Sequence, residues 1–191
     1  MKGIIMTDVK FYHNSEIADS KLRFAVIAAR YDDKWIFCRH RERSSWEIPG
    51  GHREPSEAIE ETARRELYEE TGAKSFTLHA VTVYSFDSYG MLYYSEVSEL
   101  GSIPDNSEIA EIEMFDVMPK ELTYPQIQPA LYSYIQGWLF LQDFSLDDIV
   151  LQEGETCGAR YVDSDELRAL SERGELVPYR YLDRLLDDIS M

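Results

Sequence analysis

Residues 51–73 read GHREPSEAIEETARRELYEETGA, and no other stretch of the 191-residue chain constrains its fold as tightly. From 58 to 71 there is no Pro or Gly, and Ala, Leu, Glu and Arg, all good helix formers, predominate. Gly72 supplies the left-handed position that commonly stops a helix. Residues three and four apart share a helix face, so Ile59, Thr62, Ala63 and Leu67 make one stripe suited to a core. Followed toward the C-terminus, that stripe becomes Glu66 and Glu70, with Glu69 at its edge. Carboxylates stand where the pattern calls for apolar side chains.

Clustered carboxylates repel one another and lose hydration unless positive charge sits among them. Only Arg65 is built into the cluster. Hard divalent cations are the natural complement, and Mg²⁺ or Mn²⁺ fits best because it shares its shell with phosphates. The plainer alternative is a solvated acidic helix laced by i, i+4 pairs, for which Glu60–Arg64 and Glu61–Arg65 have the favourable order. Ahead of the helix, Lys34–His40 alternates like a strand, and Pro49-Gly50-Gly51 makes a tight turn that lets backbone approach a ligand closely.

Gly51, Glu57, Arg65, Glu66, Leu67, Glu69, Glu70, Gly72 and Ala73 follow the spacing G-x5-E-x7-R-E-[apolar]-x-E-E-x-G-[apolar]. This resembles in full the signature of the Nudix hydrolases. The resemblance covers roughly residues 1–141 and implies an α/β fold of the α+β type, with a mixed β-sheet sandwiched between α-helices. It implies hydrolysis of a nucleoside diphosphate linked to another group, X. Mg²⁺, with Mn²⁺ as substitute, would be held by Glu66, Glu69, Glu70 and the carbonyl of Gly50. Glu57 and Arg65 would hold loop and helix in register, with Gly51 and Gly72 as framework. Relatives often take a general base from beyond the box. Glu108 is the first candidate here, and Glu66 can double in that role. Glu111 stands second as base and among the substrate-binding residues with Arg39 and Trp46. Arg39 leads the basic candidates because its strand runs to the turn; His40, Arg41, Arg43, His52 and Arg53 follow. Stacking could also use Tyr84, Phe86 or Tyr93, which equally read as core. The segment 34–51 is similar to the MutT-like branch, which acts on nucleoside triphosphates, oxidised purine nucleotides included. ADP-ribose, nucleotide sugars and a non-catalytic nucleotide sensor are the alternatives.

The net charge of −17 excludes a protein that tracks long nucleic acid, but not a small phosphorylated nucleotide as partner, since bound cations invert the local field. No apolar run approaches the ~18 residues of a membrane span, and MKGIIM is too short for a signal peptide. With Cys38 and Cys157 read as reduced, the expectation is a cytoplasmic protein without a disulfide framework.

Strands are expected at 22–30, 34–40, 76–86, 91–97 and 109–115, and a helix at 124–141. Residues 1–141 form one domain in this reading. Residues 142–191 form a small α/β extension, structural or substrate-shaping, with short strands at 149–151 and 159–162 and two helices after them. An echo at an offset of 47, Glu108, Phe115 and Asp116 against Glu155, Val162 and Asp163, fits a degenerate second unit or simple convergence. The arm before residue 22 either covers a sheet edge with an extra strand or contacts a second subunit, and a homodimer is the expected assembly if it does.

Overall fold

The computed structural model describes residues 9–143 of the chain. In chain order its elements are strands β1 (Lys10–Tyr12), β2 (Leu22–Tyr31), β3 (Lys34–His40) and β4 (Gly50–His52), then helix α1 (Ile59–Thr71). Strands β5 (Ala73–Phe76), β6 (His79–Ser85), β7 (Tyr89–Leu100) and β8 (Ile109–Phe115) follow, and helix α2 (Gln128–Asp143) is last. The strands join in one mixed sheet of order β1-β6-β7-β2-β3-β8, with β4 added to β2 and β5 to β7. β2 and β7 are parallel from Leu22↔Tyr89 to Tyr31↔Val97, with a register shift between Leu22 and Phe24, and every other strand pair is antiparallel. A parallel pair needs a long crossover, and here the crossover carries α1.

Central strands covered on both sides read as continuous apolar runs whose residues alternate between two cores. Ala25, Ile27 and Ala29 of β2, with Ile36, Met91 and Tyr93, pack against Ile59, Ala63 and Leu67 of α1. Ala28, Trp35, Phe37, Leu92 and Tyr94 turn the other way, onto Leu131, Tyr132 and Ile135 of α2. The expected sheet between helices is therefore the fold. The helix stripe holds too: Ile59, Thr62, Ala63, Leu67 and Thr71 are the buried positions of α1.

What positions the site is a split along one edge of β2. Asp32 and Asp33, both at positive φ (50° and 61°), make the two-residue hairpin whose twist suits the flanking strands. Past that hairpin β3 pairs with β2 only at Arg30↔Trp35 and Tyr31↔Lys34. The other end of β2, Phe24–Val26, is paired by β4 instead. The glycine pair is thus held between β2 and the helix.

Several boundaries differ from the sequence reading. The expected strand at 76–86 divides, because Ala73–Phe76 pairs with the far end of β7 (Ala73↔Leu100) and β6 starts only at His79. Gly50–His52 is a strand rather than a bare turn, made by its pairing with β2. Helix α2 starts at Gln128 rather than Tyr124, the Gln128 Oε1 accepting from the Tyr124 N–H at 3.2 Å. The N-terminal arm supplies β1, which covers the sheet edge along β6 through Phe11↔Tyr84. The strands, helices and repeat expected beyond residue 143 lie outside the described residues. Among the described residues no helix is long and apolar enough to cross a membrane.

Candidate active site

Helix α1 ends on the left-handed Gly72 (φ 75°), whose N–H closes onto the Tyr68 carbonyl. A Cβ there would meet the Ser102 carbonyl oxygen at 2.6 Å, so glycine is required twice over. One turn earlier the buried stripe delivers Glu70 and Glu66 to the edge of β4. The Gly50 N–H donates to Glu70 Oε2 at 2.8 Å, and the Cys38 thiol lies 3.5 Å from the same oxygen. Burial pushes the Glu70 carboxyl up to about 8, against the Gly50 hydrogen bond, with the Glu66 and Glu47 charges adding to the rise. Glu66 is raised as well, first by burial, while its contact with Arg65 opposes the shift. A Cβ on Gly51 would stand 2.3 Å from Glu66 Oε1, so glycine makes room for that carboxylate.

Arg65 ties the cluster together. Its Nε and Nη2 grip both oxygens of Glu57 at 2.8 and 3.0 Å, and its Nη1 reaches Glu66 at 2.8 Å and Glu69 at 3.1 Å. Nη2 also donates to the His52 carbonyl at 3.1 Å, joining helix to β4. Of the two expected i, i+4 pairs, Glu60–Arg64 forms at 2.7 Å. Glu61–Arg65 does not, because Glu61 turns back to accept from the Ala58 N–H at 2.7 Å, as an N-terminal cap.

Glu57 also accepts from Thr62 Oγ1 (2.7 Å) and the Glu54 N–H (3.1 Å). The Arg65 hydrogen bonds hold its carboxyl down at about 2. A lowered carboxyl contributes stability that is present above the unfolded value and lost as pH falls toward 2. Glu57→Ala is therefore expected to cost about 2–4 kcal/mol at pH 7. The gap from the parent should narrow as pH drops below 4. Urea midpoints taken between pH 3 and 7 check this, and a constant gap would show that the loss is packing rather than charge.

A cavity of about 610 Å³ opens beside the cluster, lined by Glu66, Glu70, Gly50, Gly51 and Glu108 among others. Glu108 stands at its exposed margin, 3.3 Å from His40 Nε2. Glu69 is about half exposed, turned onto Arg65, and is not part of the lining. Arg39, Trp46 and Glu111 come together as a cluster of their own, also off the lining. Arg39 Nη2 meets Glu111 Oε1 at 2.7 Å and its guanidinium lies 5.8 Å from the Trp46 ring centre. Of the aromatic candidates, Phe86 lines the cavity and Tyr84 borders it from within the α2 core, whereas Tyr93 belongs to the α1 core.

Of the basic candidates, His40, Arg43 and His52 reach the lining, and Glu47, Tyr124 and Gln128 join them as polar groups that the sequence reading did not single out. Glu47 and Gln128 are buried polar side chains, at 8% and 4% exposure. For Glu47 the sequence offers only Trp46-Glu47-Ile48, a charge between two apolar residues, which reads equally as the outer face of a strand.

Among the described residues no three His, Cys, Asp or Glu side chains converge tightly enough to cage an ion. Arg65 explains this, since one oxygen of Glu66 and one of Glu69 lie on it, while one of Glu70 lies on the Gly50 N–H. The second oxygen of each makes no hydrogen bond to a described residue. The donors are all hard oxygens; Glu66 and Glu70 are partly buried, and among the described residues Glu70 has no cationic partner. That chemistry suits Mg²⁺ or Mn²⁺, which completes its shell with water and phosphate oxygens.

Comparison with known proteins agrees with the geometry. A family model described as the NUDIX domain matches residues 21–135. A Bacillus subtilis protein provisionally named as an 8-oxo-dGTP diphosphatase, YtkD, is 30% identical over 117 residues, which span 59% of this chain and 73% of that protein. Among solved structures, the Bacillus subtilis pyrophosphohydrolase BsRppH superposes with a TM-score of 0.58 at 22% identity, covering 68% of this chain and 90% of that one. A C. elegans Ap4A hydrolase superposes with a TM-score of 0.51 at 14% identity, over 64% of this chain and all of the other. At those identities the two structures speak for the fold alone.

Proposed function

The chain belongs to the Nudix hydrolases, and from that membership we propose that it cleaves the pyrophosphate bond of a nucleoside triphosphate with Mg²⁺ or Mn²⁺. What carries the reading is the pair of partly buried carboxylates, Glu66 and Glu70, lining one cavity beside the glycine pair. Support for a triphosphate, an oxidised purine nucleotide among the candidates, comes from the naming of the Bacillus subtilis relative.

Glu66, Glu69 and Glu70, with the Gly50 carbonyl, would hold the ion. A bound divalent ion polarises phosphoryl oxygens and lowers the pKa of water. Arg65 steadies Glu66 and Glu69 through Nη1 and keeps them from repelling each other apart. Glu108, at the cavity margin, is the residue proposed to take the proton from the attacking water. Phe86 and Phe24 offer faces on which a base can stack.

A panel of nucleoside triphosphates, ADP-ribose, a nucleotide sugar and a dinucleoside polyphosphate, incubated with Mg²⁺ and separated by product, tests this. Nucleoside monophosphate and pyrophosphate from a triphosphate are the expected products. Cleavage confined to ADP-ribose or a nucleotide sugar would move the substrate class. Tight binding with no product across metals and pH would make the protein a sensor.

A further inference from the structure

Positive charge is scarce around the cavity. Glu47, Glu66, Glu70, Asp87 and Glu108 line it, against one guanidinium, Arg43, and the imidazoles of His40 and His52. The neighbouring arginines are committed elsewhere: Arg65 to the box carboxylates, Arg53 to Asp19 at 2.7 Å, and Arg39 to Glu111.

Arg43 is held differently. Its Nη1 alone donates both to Glu47 Oε2 at 2.9 Å and to Tyr124 Oη at 3.2 Å, and its guanidinium lies 5.6 Å from the Tyr124 ring centre. Two contacts and a ring thus fix the guanidinium through a single nitrogen. The Nε/Nη2 edge makes no hydrogen bond to a described residue. That edge carries two parallel N–H groups, the fork with which arginine grips a phosphate or carboxylate. The partner Glu47 is buried although Arg43 is 41% exposed, and a half-exposed ion pair contributes little to stability. A carboxylate kept in such a place is better accounted for by what it aims.

Resting on the triphosphate reading above, we propose that Arg43, aimed by Glu47 and Tyr124, is the specificity residue that grips the terminal phosphate of the substrate. An anionic X then binds with the two forked donors, whereas a neutral sugar in the same place leaves them unpaired. Arg43 is the binding residue in this scheme; Glu47 and Tyr124 are positioning residues.

The test compares KM and kcat for a nucleoside triphosphate with KM, or the inhibition constant, of a nucleoside diphosphate joined to a neutral sugar. Arg43→Ala should raise KM for the triphosphate about 30-fold, with a smaller effect on kcat, and move the neutral compound less than about 3-fold. Arg43→Lys should recover part of the loss, because it restores charge without the fork. Glu47→Gln and Tyr124→Phe should each raise KM for the triphosphate about 5-fold and leave the neutral compound alone. Equal losses on both compounds, or no loss on either in a parent active on triphosphates, would overturn the assignment by itself. A parent that cleaves no triphosphate overturns both this inference and the reading it rests on.

Discussion

Glu70→Gln is expected to slow turnover about a hundredfold or more while making the metal-free protein more stable at pH 8 than its parent. The two effects have one cause. Burial holds the Glu70 carboxyl at about 8, so the folded chain keeps a proton that the unfolded chain gives up near 4.5. For a carboxyl raised in this way, stability is intact at low pH and is lost as pH rises from about 4.5 toward 8. Gln is close in shape, carries no charge, and still offers an oxygen to the Gly50 N–H. The melting temperature of the metal-free parent should therefore fall between pH 5 and 8, that of the variant should fall less, and the two should converge near pH 4–5. Adding Mn²⁺ at pH 8 should stabilise the parent and release protons, because the ligand must be ionised to bind. The variant should lose most of that stabilisation together with its turnover. Glu66→Gln should lose turnover alike, but it also removes the negative charge that Arg65 pairs with, so no stability gain is expected from it. A Glu70→Gln protein that turns over within threefold of the parent would remove Glu70 from the site.

That Glu70 sits in such a place was legible before any coordinates, because a helix stripe that changes from Ile, Ala and Leu to Glu can be read by counting. β2, β3 and β8 were legible for the same reason, being apolar or alternating runs bounded by turn residues. β4 was not. Gly-Gly-His has no strand preference of its own, and its extended form comes from pairing with β2 across a gap that β3 leaves open. β5 was hidden because a four-residue strand directly after a helix cap merges, in sequence, with the strand that follows. In the site, the box residues were legible because their chemistry depends on local spacing. The Arg43–Glu47–Tyr124 arrangement depends on bringing together residues up to 81 positions apart, and no local period records that. Arg39 illustrates the same limit. Its strand does run toward the turn, but Glu111, its cross-strand neighbour in β8, takes the guanidinium.

The two glycines at the turn should differ in stability, though not in loss of activity, under the same substitution, which separates fold from chemistry at adjacent positions. A Cβ on Gly50 would meet the Ala25 carbonyl oxygen at 2.3 Å and Val26 Cα at 2.8 Å, both backbone atoms of the central strand. Neither can move by itself, so β4 has to lift away from β2. The lift strains the Ile27 N–H bond to the Pro49 carbonyl and the Gly50 N–H bond to Glu70, each 2.8 Å long. Gly50→Ala is therefore expected to cost on the order of 3–5 kcal/mol and to abolish activity along with the fold of this edge. On Gly51 the obstacle is the Glu66 carboxylate, at 2.3–2.6 Å, the far end of a flexible side chain. It can swing aside, so Gly51→Ala should keep stability within about 1 kcal/mol of the parent. Swinging aside removes a proposed ligand oxygen from the cavity, and Mn²⁺ affinity should fall about tenfold or more, with turnover falling further. Urea midpoints and Mn²⁺ titration on the two variants read the contrast directly. If Gly51→Ala binds Mn²⁺ and turns over like the parent, the close seat of Glu66 against the turn has no part in the reaction, and the site must be drawn around Glu69 and Glu70 instead.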